Sequence, residues 1–252
     1  IDMGGTSFDA ALIREGKPSV TTEGSVGGYR LASPILDIHT IGAGGGSIAW
    51  IDAGGLLRVG PKSAGAEPGP VCYGRGGTEP TVTDADLLLG YLDADFFWGG
   101  QLRLDVEAAG RAVKEKIADR LGMDVVAAAN GIYQVINSNM AEALQVVSVK
   151  QGYDPREFAL VVAGGAGPIH AGMIARDLDI PLIITPRESS VFCAAGMLIS
   201  DLRHDYVRTY TVDVDKLDLP HFNRLYAEMT REAKDTLQAE GIPPDRIKLS
   251  YS

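Results

Sequence analysis

The first dozen residues, IDMGGTSFDAAL, hold the most pointed chemistry in the chain. An apolar residue precedes Asp2; Gly4 and Gly5 follow, then Thr6 and Ser7, then Asp9 inside an apolar run. The order reads as strand, tight turn, strand. Without a Cβ at Gly4 and Gly5, backbone N–H groups can approach a phosphate closely. Thr6 and Ser7 add hydroxyl donors. Asp2, at a strand end, repels a bare phosphate and suits one only with Mg²⁺ or its bound water in between. A plain Gly-Gly hairpin with polar tips has the same pattern, so the residues alone leave both readings open.

A second turn stands in VVAGGAGPIHA, where a continuous apolar strand delivers Gly164 and Gly165 to a helix start. Such a turn suits a nucleotide, because side chains are absent where it would pack and a helix N-terminus favours anions. Pro168 fits a first helical turn. No GK[ST] follows and the spacing is not GxGxxG, so this is neither a P-loop nor a dinucleotide fingerprint. A tight strand–helix connection is the alternative.

Further candidates are scattered. In DIHT, alternation puts Asp37 and His39 on one side of a strand, as a proton-transfer pair, a divalent-metal site or a polar strand edge. Gly42 to Gly46 follow directly and leave room for a ligand. The loop GAEPGPVCYGRGG holds Glu67, Cys72, Tyr73 and Arg75, of which Arg75 suits a phosphate or carboxylate. Asp84 reads as a helix cap. Asn137, Asn139 and Glu142 lie close on one helix, lining a cleft or facing solvent. His170 caps, packs or touches a ligand, and His204 and His221 read as surface residues.

These residues need a frame. Strands are expected into Asp2, over Ala10–Ile13 and over Ser19–Thr22, then a strand, a glycine corner and a hairpin through ILDIHTIGAGGGSIAWIDAGGLLRVGP. Pro61 to Thr83 is a long loop. Thr83 or Asp84 caps a short helix, DVEAAGRAVKEKIADRLG is amphipathic, and a longer helix runs from Val125 to Lys150. Strand, glycine turn and helix follow, then a buried strand in IPLIITP and a small-residue helix in SVFCAAGMLISDL. Buried strands alternating with helices give an α/β layered fold. After Asp205 the character changes: a strand in YVRTYTVDV, an amphipathic helix over HFNRLYAEMTREAKDTLQAEG, and a strand starting at IKLSYS.

Composition narrows the class. The chain has 252 residues, 45% hydrophobic, with a formal net charge of -10, which disfavours nucleic acid and anionic membranes as partners. No apolar run is long enough for a membrane span. Cys72 and Cys193 lack CxxC spacing and read as reduced, small residues of a cytoplasmic protein, with a catalytic thiol at Cys72 as the alternative.

An Asp-x-Gly-Gly-Thr turn, helices, then a strand ending in Gly-Gly before a helix resembles the second half of an actin-like (ribonuclease H-like) ATPase fold with inserted glycine-rich loops. More narrowly, DMGGTSFD, IGAGGGSIAWID, GPKSAGAEPGPVCYG, GGTEPTVTDADLLLGYL, GYDPREFALVVAGGAGPIHA and FCAAGMLISDLRHDY together resemble the hydantoinase A/5-oxoprolinase family. The resemblance covers Ile1 to Asp205 closely, giving a domain over 1–205 and the start of a C-terminal α+β domain over 206–252. It implies ATP and Mg²⁺ as cofactors and a cyclic amide such as 5-oxoproline or a hydantoin as substrate, with ring opening after carbonyl phosphorylation. A small ketone, carboxylated, is the alternative substrate; a conformational ATPase of the actin or chaperone kind is a reading of another class. It further implies a hydantoinase B-type companion subunit, hence a hetero-oligomer, and an earlier half with its own phosphate turn that this chain lacks. By resemblance, Gly4, Gly5, Thr6 and Ser7 hold phosphates, and Asp2 and Asp9 orient Mg²⁺ or its water. Gly164, Gly165, Ala166 and Gly167 face the adenosine and sugar. Asp37 and His39 join the catalytic set, with a second divalent metal there left open.

Overall fold

The computed structural model describes residues 1–26, 28–30 and 34–251. The chain divides into two compact units, Ile1–Ile199 and Ser200–Ser252.

The first unit is a mixed α/β layer structure, as its alternation of strands and helices predicts. Strand β1 (Asp2–Met3) pairs antiparallel with β2 (Phe8–Ala11), and β2 pairs antiparallel with β3 (Ile38–Ile41). Between β2 and β3 the chain makes short antiparallel ribbons, including one that turns at Glu15 and Gly16 between Ile13–Arg14 and Lys17–Pro18. Strands β4 (Ser47–Ile51) and β5 (Leu57–Ser63) form the expected hairpin. Much later, β6 (Ala159–Val161) and β7 (Leu182–Ile184) pair in parallel, and β7, expected buried, is exposed along its length. Just past β6, Ala163 bridges Asp2 in parallel, with Met3 N donating to Ala163 O and Ala163 N to Ile1 O. The two sheets therefore continue into one another, in the order β3-β2-β1-β6-β7.

Alternation along these strands sets the core. Met3, Phe8 and Ala10 are fully buried on one face. The long helix α3 (Val125–Val147) packs there, through Ile132, Ile136, Met140 and Leu144, spaced four apart on one stripe. Asp124 caps it by accepting from Ala127 N at 2.8 Å. Before it come α1 (Val82–Leu88) and α2 (Val106–Val113), which runs on through a π-turn at Lys114–Ala118 to Leu121. Helix α4 (Gly167–Asp177) follows the second glycine turn and buries Ile174. Helix α5 (Phe192–Ile199) forms where expected but stays outside the core, with Met197, Leu198 and Ile199 all at least 80% exposed.

The cap of α1 differs from expectation. Thr81, not Thr83 or Asp84, is the N-cap, and Asp84 closes a capping box with it. Asp84 is fully buried and accepts from Val71 N, Cys72 N, Thr81 N and Thr81 Oγ1 at 2.7–3.2 Å. One carboxylate thus ties the glycine- and proline-rich loop to the helix that follows it.

In the second unit α6 (Leu219–Ala239) is the expected amphipathic helix, capped by Asp218. The strands expected in YVRTYTVDV and IKLSYS do not form. A strand needs a ladder partner for its backbone groups, and among the described residues neither segment has one. Side chains tether them instead: Tyr206 Oη donates to Thr236 Oγ1, Arg208 pairs with Glu232, and Tyr251 Oη meets Thr230 Oγ1. His204, expected at the surface, pairs with Glu240 at 2.9 Å. A groove along α6 is lined wholly by this unit, including Phe222, Tyr226 and Lys234.

Candidate functional site

Two glycine turns and a pair of carboxylates meet at the end of β1. The first turn closes where Gly4 N donates to Ser7 O at 3.3 Å. Asp2 and Asp9 stand directly opposite each other in the β1–β2 ladder, so both side chains leave the same face. Thr40, opposite Asp9 on β3, joins them there, and its hydroxyl donates to Asp9 Oδ1. Ser7 Oγ reaches Asp9 Oδ2 at 3.4 Å. Asp2 Oδ2 accepts from the Cys193 thiol at 2.8 Å. That bond to Asp2 is the main cause that pushes the Cys193 thiol above its ordinary pKa.

The second turn abuts the first through backbone. Ala166 N donates to Met3 O at 3.0 Å, and Gly164, at φ +83°, lies so close that a Cβ there would stand 2.1 Å from Met3 O. Gly167 is buried, and its Cβ would meet Val162 Cγ1 at 3.0 Å. These two glycines are spent on packing. Gly165 differs: it is exposed, and a Cβ there would meet nothing within 4 Å. Of the four residues assigned to the nucleoside, Gly165 alone presents an open backbone face. Ala166 is half-buried, with its N–H already committed.

The glycine run Gly42–Gly46 was expected to leave room for a ligand, and the structure corrects this. Gly45 N donates to Gly4 O and Gly46 N to Gly5 O, at 3.0 and 2.7 Å. A Cβ on Gly44 would stand 2.5 Å from Thr6 N. The run is a strap pressed against the back of the 4–7 turn, and its glycines permit that approach. Thr83 holds the strap in turn, its Oγ1 donating to Gly45 O at 2.8 Å. The turn's other side remains open. Cβ atoms on Gly4 or Gly5 would meet nothing within 4 Å, and Gly5 and Thr6 are exposed. Among the described residues, the N–H groups of Gly5, Thr6, Ser7 and Gly165 donate to no protein acceptor.

Asp37 and His39 lie apart from this cluster. His39 stands opposite Ala10 in the ladder, so it leaves the sheet on the face away from Asp2, Asp9 and Thr40. Asp37 accepts from Gln151 Nε2 at 3.0 Å. No group of three His, Cys, Asp or Glu side chains suited to a metal ion forms among the described residues.

The other polar candidates are structural in their contacts. Cys72 is fully buried, and burial, then Asp84, pushes its thiol far above the usual range, which removes it as a nucleophile. His170 is fully buried, stacks on Tyr133 with centroids 5.1 Å apart, and sits 3.5 Å from Asp86. Burial holds the Asp86 carboxyl above its ordinary pKa, opposed by His170. Asn137 donates to Tyr133 O at 2.6 Å and Asn139 to Val59 O at 3.4 Å, while Glu142 faces solvent. Arg75 is exposed. Sequence reasoning missed Thr40 and Cys193. Thr40 was legible once β3 was set in register with Asp9; nothing in the sequence near Cys193 announced its partner.

An open rim of free N–H groups beside two carboxylates can hold an anion on the rim and a hard cation on the oxygens. The residues present therefore fit a phosphate with Mg²⁺, which takes few protein ligands and keeps several waters.

Comparison with known proteins bears on this geometry. The hydantoinase/oxoprolinase family model matches residues 1–206. The chain is 43% identical, over its whole length, to 37% of the caprolactamase subunit alpha of Pseudomonas jessenii. It is 40% identical over 97% of its length to 34% of the acetophenone carboxylase gamma subunit of Aromatoleum aromaticum. A nucleotide-free acetone carboxylase structure superimposes with a TM-score of 0.83 at 31% identity, covering 98% of this chain and 36% of that one. The chain thus spans about a third of the length of these two relatives.

Proposed function

We propose, from the premise that the chain belongs to the hydantoinase/oxoprolinase family, that it is the ATP-handling part of an enzyme that hydrolyses a cyclic amide. The observation that carries this is the convergence at β1: the open N–H groups of Gly5, Thr6, Ser7 and Gly165 beside the paired carboxylates of Asp2 and Asp9. The sheet order β3-β2-β1-β6-β7, with three antiparallel-linked strands followed by two parallel ones, supports the actin-like half-fold in which such a turn would serve ATP. In this reading residues 1–205 form that half and 206–252 open a C-terminal domain.

Amide carbonyls are poor electrophiles; ATP with Mg²⁺ supplies a phosphoryl group that makes the carbonyl oxygen a leaving group. The chain's own part is positioning and charge placement. Gly5, Thr6 and Ser7 would cradle phosphate oxygens with backbone N–H groups and the Thr6 hydroxyl, while Gly4, its N–H given to Ser7 O, would shape the turn. Asp2 and Asp9 orient the cation or its water, with Thr40 holding Asp9 in place. Gly165 leaves space for the nucleoside, and Gly164, Ala166 and Gly167 hold it against β1. Asp37 and His39, apart from the phosphate turns and with His39 on the opposite face, would act on substrate or a second divalent metal rather than on the phosphates. We assign a hydantoinase B-type companion subunit, and a cytoplasmic setting that fits the two free thiols.

A ketone carboxylase reading stands equally, because identity to the caprolactamase and acetophenone carboxylase subunits is nearly the same. Phosphate release from ATP by the whole protein with its companion separates them. It is measured without substrate, with 5-oxoproline, hydantoins or a lactam, and with acetone plus bicarbonate. Stimulation by a cyclic amide is the expected result. Stimulation only by ketone with bicarbonate moves the protein to the carboxylases. Turnover indifferent to every substrate favours a conformational ATPase, and no turnover overturns the ATP-handling reading.

A further inference from the structure

The segment after β7 bends back onto the glycine turns at two points. Gly164 N donates to Ser189 O at 2.7 Å, and Cys193, at the start of α5, places its Sγ 2.8 Å from Asp2 Oδ2. The other carboxylate oxygen, Asp2 Oδ1, lies 2.6 Å from where a Cβ on Gly164 would stand. Asp2 is thus held between the second glycine turn on one side and a thiol on the other. Its ladder partner Asp9 is held differently, by the hydroxyls of Thr40 and Ser7. A thiol is a weak, uncharged donor. It can fix a carboxylate rotamer without neutralising the carboxylate, as a lysine or arginine would, so the full negative charge stays available to a cation.

We propose that Cys193 is a positioning residue for Asp2: its S–H holds the carboxylate beside Gly164, in the orientation from which it works. The contact itself stands on geometry alone; its consequence for turnover rests on the ATP-handling reading above. Nothing requires the thiol to react.

The test uses the whole protein and two readouts. The first is the infrared S–H stretch, isolated as the parent minus Cys193→Ala difference spectrum. The expected band lies below the frequency of an unbonded thiol and moves up in Asp2→Ala. A band at the unbonded frequency in the parent, or one unmoved in Asp2→Ala, overturns the contact. The second is steady-state ATP turnover. Cys193→Ala is expected to lower kcat about five- to tenfold with less than about a twofold change in KM for ATP, the pattern of a lost orienting interaction. Cys193→Ser, which keeps a donor, is expected to recover most of that loss. Parent-like kcat in Cys193→Ala, or equal losses in the alanine and serine variants, overturns the positioning role while leaving the ATP-handling reading intact. Absence of turnover in the parent overturns that reading and the role together, and the S–H band still decides the contact.

Discussion

Asp2 and Asp84 each sit where a backbone turn meets a regular element, and they differ in what answers their oxygens. Asp84 is fully buried and takes donors from Val71, Cys72 and Thr81. Asp2 is partly open and, among the described residues, its carboxylate takes one weak donor, the Cys193 thiol. A carboxylate whose lone pairs are filled by its own chain is committed to the fold. One left under-filled at an open rim is available to a cation or water. The glycines divide in the same way: Gly44, Gly46 and Gly164 let backbone touch backbone, while Gly5 and Gly165 leave their N–H groups uncovered.

The largest effect is expected where the commitment is deepest. Asp84→Ala strands three buried N–H groups and a hydroxyl at once and should destabilise the first unit by about 3–4 kcal/mol. Urea unfolding measures it. A loss below about 1 kcal/mol would mean that the loop 64–80 finds other acceptors, and the contrast with Asp2 would weaken. Next is Gly164→Ala, which combines φ +83° with a Cβ 2.1 Å from a carbonyl oxygen and should cost about 2–3 kcal/mol. Gly165→Ala, set in open space, should stay within about 0.5 kcal/mol of the parent in the same melts. Equal losses in the two would erase the division between packing and open glycines.

At Asp2 the balance reverses. Asp2→Asn is nearly isosteric and keeps an acceptor for Cys193, so unfolding should shift by less than about 1 kcal/mol. ATP turnover should fall at least about a hundredfold, as when a group that places transition-state charge is removed. Normal turnover in that variant would detach Asp2 from the phosphate site.

What the sequence carried was local. The β1–β2 turn, the strand–glycine–helix unit at 159–177, the β4–β5 hairpin and α3 are each specified by neighbours within a few residues, through alternation, caps and the four-residue stripe. The site drew on longer range. The glycine run at 42–46 announces close approach, but whether to a ligand or to chain depended on the turn at Gly4 and Gly5, forty residues earlier. Alternation suggests one side for Asp37 and His39, but Asp37 falls between two strands, and only the pairing of Ala10 with His39 decides that the side of His39 is not that of Asp2. The capping box was present as Thr81 and Asp84 at the spacing of such a box, and reading Asp84 as the cap itself shifted the helix start. Cys193 meets a residue 191 positions away, beyond any pattern a local reading can use.

The smallest expected effect tests the buried side again, at Asp86. Burial lifts its carboxyl above the ordinary value of 3.8, while His170, 3.5 Å away, opposes the lift. The folded protein then keeps a proton that the unfolded chain has already released. Across the window from the ordinary carboxylate value up to the raised one, the folded state binds more protons, so stability falls as pH rises. Asp86→Asn cannot titrate and should lose that slope. Urea midpoints of parent and variant, taken from pH 4 to pH 7, should therefore diverge, with the variant gaining on the parent as pH rises. A difference constant with pH would show that Asp86 ionises in the fold as it does in the unfolded chain. Being buried beside His170 would then leave it as free to release its proton as an exposed aspartate.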